Sequence, residues 1–223
     1  MTMKLWIQAL AKFAIGIILI GVLIFLPAGT FSFFHGWLFM GLLFVPMFFA
    51  GLVMMFTNPN LLKSRLNAKE KQRDQSAVIK LSGLMFLAGF IVAGLNFRFD
   101  WFMLPRGIVI GASVVFLAAY ILYAEVLREN TYLSRTIEVQ DHQKVIDTGL
   151  YAVVRHPMYS ATLLLFLSMP LVLGSIYALL IFLAYPFIIV KRIKGEEEFL
   201  EKELKGYREY KQKVKYRLIP FVW

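Results

Sequence analysis

The chain alternates long apolar runs with short polar segments. Apolar runs cover residues 9–26, 37–56, 78–97 and 105–127. Each has about the 20 residues that a helix needs to cross a hydrocarbon layer roughly 30 Å thick. None alternates apolar and polar residues with period two, so the backbone pairing demanded inside a bilayer predicts helices rather than a closed barrel. A fifth block, residues 158–190, is too long for one ordinary spanning helix and is interrupted by Ser168-Met169-Pro170 and Gly174-Ser175. Pro and Gly there predict a turn and a helical hairpin of two short membrane helices, six passages in all. A single kinked, tilted helix, giving five passages, is the other reading.

Composition agrees with this pattern. With 59% apolar and 17% charged residues among 223, the chain carries more hydrophobic surface than a soluble domain of its size buries. The expected fold is an all-α polytopic membrane bundle of five to six passages, including the C-terminal hairpin, with a cytoplasmic amphipathic C-terminal helix. No repeat or Gly/Ser-rich linker divides the chain, so 1–223 is expected to be a single integral membrane domain. Within it, 1–127 supplies four membrane helices and 128–223 the functional region. The first apolar run is long and lacks a small-residue cleavage site, which predicts a retained helix rather than a signal peptide.

The formal charge of +10 raises the question of nucleic acid. Its distribution answers with a membrane surface instead. If the N-terminus with Lys12 at its border, residues 57–79 with Lys80 at theirs, 128–157 and 191 onward lie in the cytoplasm, every one of the 24 Lys and Arg residues except Arg98 and Arg106 lies on that side. That bias favours six passages, with both termini cytoplasmic in a cell inner membrane or its equivalent. The chain has no cysteine, which excludes disulfides, thiolate-bound zinc and thiol nucleophiles. Three scattered histidines, among them His35 at a helix start, give no metal-ligand spacing. Gly36, Gly41 and Gly51 are candidate points of close helix contact. Phe31, Phe33, Phe34, Phe44, Phe48 and Phe49 are expected to face lipid or pack, with an acceptor tunnel as a further reading of some of them.

Two polar constellations interrupt the pattern in its C-terminal part. The first is Gly149-Leu150-Tyr151 with Arg155-His156-Pro157-Met158-Tyr159. Pro157 suits the first turn of a helix and biases His156 toward an extended backbone, so Arg155 and His156 are expected just before a helix N-terminus, which can hold an anion. The second is Arg192, Glu196-Glu197-Glu198, Leu200, Glu203-Leu204, Gly206-Tyr207, Tyr210 and Tyr216-Arg217-Leu218-Ile219-Pro220. Phe199, Leu200, Leu204 and Tyr207 predict an amphipathic helix that begins at Glu196 with an acidic first turn. Interfacial anchoring by Arg and Tyr, and a solvated helix face, account for either group taken alone.

Taken together, in order, spacing and residue type, the two constellations resemble the signature region of the isoprenylcysteine carboxyl methyltransferase family and its prokaryotic relatives. The likeness extends upstream through Asn130, Tyr132, Ser134, Gln140, His142 and Val145, and so covers residues 130–223. Leu150 stands where the family often has Pro, and Ala161 where it often has Gly. The resemblance implies S-adenosylmethionine as cofactor, held without a Rossmann domain, and no G-x-G-x-x-G is present. Carried over by position, His142, Val145, Gly149, Tyr151, Arg155, His156, Tyr159, Glu196 and Glu197 are the implied cofactor neighbours. The implied acceptor is lipophilic, the carboxylate of an isoprenylated cysteine or a similar molecule, and it enters from the bilayer.

A carboxylate is already ionised at neutral pH and needs only a cation to orient it, for which Arg192 is the first catalytic candidate and Arg217 the second. An amine acceptor, as in a phospholipid, would also need a base. Two other classes compete: a membrane sterol-type reductase using NADPH, and a non-catalytic membrane relative. The sequence leaves the oligomeric state open.

Overall fold

The computed structural model describes residues 3–66, 73–134 and 136–223, with the side chains of Arg73 and Asp74 left aside. Four long helices come first: α1 (Met3–Ala28), α2 (Phe34–Thr57), α4 (Arg73–Arg98) and α5 (Arg106–Glu129), with the short α3 (Pro59–Leu66) between α2 and α4. They coincide with the four apolar runs and extend each by a few residues. A short 3-10 turn, Gly149–Ala152, precedes α6 (Pro157–Val172), α7 (Ile176–Phe182), α8 (Tyr185–Glu203) and α9 (Tyr207–Lys213).

Five stretches are long and apolar enough to span a membrane: Met3–Ala28, Phe34–Thr57, Gln75–Arg98, Arg106–Glu129 and the α7–α8 stretch Ile176–Glu203. The outer surface fits a hydrocarbon solvent, because Ile15, Ile18, Val53, Val114, Ile121 and Phe187 point outward from the bundle. The interior is aromatic. Phe39, Phe90, Phe116 and Phe182 are fully buried, with ring centroids of Phe39 and Phe90 5.5 Å apart and of Phe90 and Phe182 5.9 Å apart.

The fifth block forms the expected hairpin, with its turn after Pro170 rather than at it. Pro170 stays in the last turn of α6, Gly174 takes a left-handed φ of +75°, and the Ser175 hydroxyl caps α7 by accepting from the Ala178 amide. The turn reaches the end of the bundle opposite α3: the Leu104 amide donates to the Gly174 carbonyl, and the Ser175 hydroxyl to Asn96 Oδ1. The returning limb breaks at Leu183 and Ala184 because Pro186 has no amide proton for the carbonyl of Phe182.

The predicted amphipathic helix is different in extent. No new helix starts at Glu196; α8 carries the returning limb straight through to Glu203, and Gly206, at φ +89°, turns the chain into the separate α9. Glu196 therefore sits past the middle of a 19-residue helix, where the dipole at the N-terminus does not reach it.

The glycine expectations divide. A Cβ on Gly36 would meet Phe25 and Phe33 at 3.0 Å, whereas Gly41 and Gly51 face open space. The closest backbone approach is at Gly94 of α4, where a Cβ would lie 2.5 Å from the Ile24 carbonyl oxygen of α1. The phenylalanines divide too. Phe33 is buried and stacks on Phe97 at 4.4 Å, Phe44 is buried, and Phe31, Phe34 and Phe49 are exposed.

Candidate active site

The site lies at the α3 end of the bundle, where α6 begins and α8 emerges. Pro157 occupies the first turn of α6, as its fixed φ favours, and His156 precedes it in a non-helical conformation. The Arg155-His156 pair is held by the C-terminal tail. Its two amides donate to the carbonyls of Tyr216 and Arg217, and the Ser160 hydroxyl donates to the carbonyl of Leu218 at 2.6 Å.

Glu196 and Glu197 are adjacent on α8 and so point about 100° apart, which gives them separate surroundings. Glu197 is 2% exposed and is surrounded by cations. Arg155 Nε donates to its Oε1 at 2.7 Å, Arg217 Nε donates to its Oε2 at 2.9 Å, and His156 Nε2 lies 3.2 Å from Oε1. Arg155 also donates through Nη1 to the carbonyls of Val214 and Lys215. This cluster ties the start of α6, α8 and the tail together. A carboxylate this deeply buried is stable as an anion only because those donors replace its water.

Glu196 belongs to a second network. The Tyr159 hydroxyl donates to Glu196 Oε2 at 2.5 Å and receives Arg192 Nε at 3.3 Å, while Arg192 Nη1 donates to Gln75 Oε1 at 3.2 Å. Gln75, on α4, is 3% exposed and packs against Gly195, where any Cβ would lie 2.2 Å from its Nε2.

Between these networks and the 130–148 loop lies a polar cleft, walled by Val145, Tyr151, Arg155, His156, Tyr159 and Glu196, all among the residues expected from the sequence. Arg192 also lines it. Among the expected residues, His142, Gly149, Glu197 and Arg217 do not form its wall. His142 is exposed in the loop at φ +59°, Glu197 lies behind the wall, and Arg217 is engaged by Glu197 and sits 5.1 Å over the Trp223 ring. Gly149 works at one remove. Glu129 accepts from the Leu150 amide at 3.0 and 3.2 Å, and its Oε1 lies 1.4 Å from where a Cβ on Gly149 would be. Only glycine, at φ +50°, admits that carboxylate.

Three contributors were not among the site residues expected from the sequence: Gln75, Glu129 and Tyr207, the last of which entered only in the C-terminal constellation and its helix pattern. Glu129 carried a usable signal, since an acidic residue in the last turn of a helix opposes the dipole and needs a partner to stay there. Gln75 carried almost none, being one amide at the head of an apolar run. Tyr207 lines the cleft, and its hydroxyl is buried with no hydrogen-bond partner among the described residues. Burial pushes its ionisation well above the ordinary tyrosine range, so it remains a neutral donor. An unsatisfied buried hydroxyl costs free energy, and a polar ligand in the cleft would recover it. Nearby, the Tyr210 hydroxyl donates to the Tyr151 carbonyl at 2.8 Å and Asn130 Nδ2 to the Tyr151 hydroxyl at 3.0 Å, fixing that ring at the cleft wall.

Residues 107–206 match the model of a family described as phospholipid methyltransferase. A relative, the Delta(14)-sterol reductase TM7SF2 of Mus musculus, is 29% identical over 91 residues, 40% of this chain and 22% of its own length. The chain thus spans about a fifth of that relative. The stretch that builds most of the cleft, from α5 through α8, is similar to the phospholipid methyltransferases, a family of membrane methyltransferases.

Proposed function

We propose that the protein is an integral membrane enzyme that moves the methyl group of S-adenosylmethionine to a lipophilic acceptor, the carboxylate of an isoprenylated cysteine or a similar molecule. The observation that carries this reading is the cleft itself. It combines a carboxylate (Glu196), two guanidinium-bearing residues (Arg155, Arg192) and an unpartnered buried hydroxyl (Tyr207) in the stretch similar to membrane methyltransferases.

These residues fit the cofactor. Its carboxylate calls for a cation or backbone amides, its ammonium and ribose hydroxyls for an acceptor such as Glu196, and its adenine for a ring such as Tyr151 or His156. Bound there, S-adenosylmethionine would supply an electrophilic methyl on a positive sulfur, with S-adenosylhomocysteine as the leaving group. The protein's task is to position the reactants. Arg192, held by Tyr159 and Gln75, is placed to orient an acceptor carboxylate; Arg217, committed to Glu197, is the weaker candidate. Glu197 keeps Arg155 and His156 in place and acts on the cleft through them. The basic loops favour a cytoplasmic setting for the cleft end, in which the polar cofactor arrives from water and the acceptor sideways from lipid.

The family match supports a second acceptor, the amine of a phospholipid. An amine must also lose a proton, and Glu196 on the cleft wall is the group to take it. Membranes containing the protein, given tritiated-methyl S-adenosylmethionine with farnesylcysteine or with phosphatidylethanolamine, separate the two. Label released as methanol by mild base from farnesylcysteine is the expected result. Base-stable label on the phospholipid would select the amine, and no label on either would refute both. Arg192→Ala should lower transfer by about 10²-fold while leaving S-adenosylhomocysteine affinity unchanged.

A further inference from the structure

A second cavity, of about 460 Å³, opens between α1, α2, α3 and α5. It shares α5 with the stretch similar to the methyltransferases, and its other three walls precede that stretch. Phe13, Met47, Phe48, Met54 and Met55 give it a hydrocarbon lining, with the Phe13 and Phe48 rings 5.5 Å apart. Gly51 faces it with nothing within 4 Å of a would-be Cβ.

One end of the groove is cationic. Lys12 and Arg65 line it there, beside Trp6 and Tyr123, and no Asp or Glu is among the described residues of its wall. Lys12 Nζ donates to the Leu66 carbonyl at 2.5 Å, and Arg65 donates to the Tyr123 hydroxyl and, at 3.1 Å, to the Ser134 carbonyl. These neutral acceptors orient the two side chains without cancelling their charge. Lys12 also stands inside an apolar run of α1, where a cation is costly unless an anion or the interface meets it. A hydrocarbon groove ending in two cations, with no acid among the described residues of its wall, is complementary to an acyl chain ending in a net negative headgroup.

We propose that this groove binds an anionic phospholipid of the bilayer, its acyl chain along Phe13, Met47 and Phe48 and its phosphate between Lys12 and Arg65. A zwitterionic lipid brings its own cation to the same place and gains less. The assignment stands apart from the methyltransferase reading and meets the cleft wall through the Ser134 carbonyl that accepts from Arg65.

Trp6 provides the probe, because it lines the groove and only three other tryptophans occur in the chain. The full chain, with Trp37, Trp101 and Trp223 replaced by Phe, is placed in vesicles containing brominated phosphatidylglycerol or brominated phosphatidylcholine, and quenching of Trp6 is measured against mole fraction. Phosphatidylglycerol should reach half-quenching at a mole fraction at least about fivefold lower, since one cation near an anionic headgroup contributes roughly that factor. Lys12→Gln and Arg65→Gln should each reduce the preference while keeping the phosphatidylcholine response, which shows that the variants are folded. Gly51→Leu fills the groove without altering charge and should weaken quenching by both lipids. Equal quenching by the two lipids in the parent chain, or an unchanged preference in both cation variants, would overturn the proposal. Displacement of the brominated phosphatidylglycerol by farnesylcysteine at equal concentration would overturn it too, by giving the groove to an acceptor's tail.

Discussion

Arg155 and Glu197 stand 42 residues apart in the chain and 2.7 Å apart in the structure, and each side chain is almost wholly removed from solvent. The pair joins the start of α6 to α8, and through the Val214 and Lys215 carbonyls it holds the tail. Removing Glu197 leaves Arg155 as a buried charge met only by the Val214 and Lys215 carbonyls, whereas removing Arg155 leaves Glu197 with Arg217 and His156. Glu197→Met is therefore expected to destabilise the fold by about 3–5 kcal/mol, Arg155→Met by less, and the two together by less than the sum of the single changes. Thermal unfolding in detergent measures this, and strict additivity would show that the two charges do not act as a pair.

Gly149 and Glu129 make a second such relationship, in which the absence of a side chain matters. Gly149→Ala puts a methyl where the Glu129 carboxylate lies, and adds about 1–2 kcal/mol for a left-handed alanine. S-adenosylhomocysteine binding should weaken because the turn carrying Tyr151 shifts. Adding Glu129→Ala removes the clash but not the backbone strain, so it should restore part of the affinity. A Gly149→Ala protein that binds as well as the parent would mean that this turn does not shape the cleft.

The bundle makes a prediction independent of any ligand. Gly94→Ala drives a methyl into the Ile24 carbonyl of α1, and backbone cannot yield as a flexible side chain can. The expected cost is about 1–3 kcal/mol, whereas Gly41→Ala, which meets nothing, should be neutral or slightly stabilising through helix propensity. Thermal unfolding of both variants side by side tests this, with equal losses as the contrary result.

These relationships show which parts of the molecule the chain displays openly. The helices at residues 9–26, 37–56, 78–97 and 105–127 were legible because a bilayer forces each spanning segment to satisfy its own backbone, so apolar length alone reports the element. The hairpin was legible for a different reason, since Gly174 and the polar Ser175 have little use inside a straight apolar helix. The helix predicted from Glu196 was misread because its periodicity continues that of the preceding limb, and periodicity does not mark a start when no break precedes it. For the site, motif spacing grouped Arg155, His156, Tyr159, Arg192 and Glu196, and all five line one cleft. What spacing could not reveal was direction. Glu196 and Glu197 look equivalent as letters, yet one faces the cleft and the other lies behind it, because a helix turns about 100° between them. Gln75 was illegible because its importance comes from the crossing of α4 and α8 at Gly195, a long-range coincidence that neither segment announces.

The central claim is that the cleft beside Glu196 and Tyr207 receives the methyl donor, and calorimetric titration of the detergent-purified protein with S-adenosylhomocysteine, and separately with NADPH, tests it most directly. The account predicts saturable S-adenosylhomocysteine binding that weakens in Tyr207→Phe and Glu196→Ala, with no NADPH binding. Absence of S-adenosylhomocysteine binding to folded protein, above all with saturable NADPH binding in its place, would contradict it and turn the reading toward the reductases.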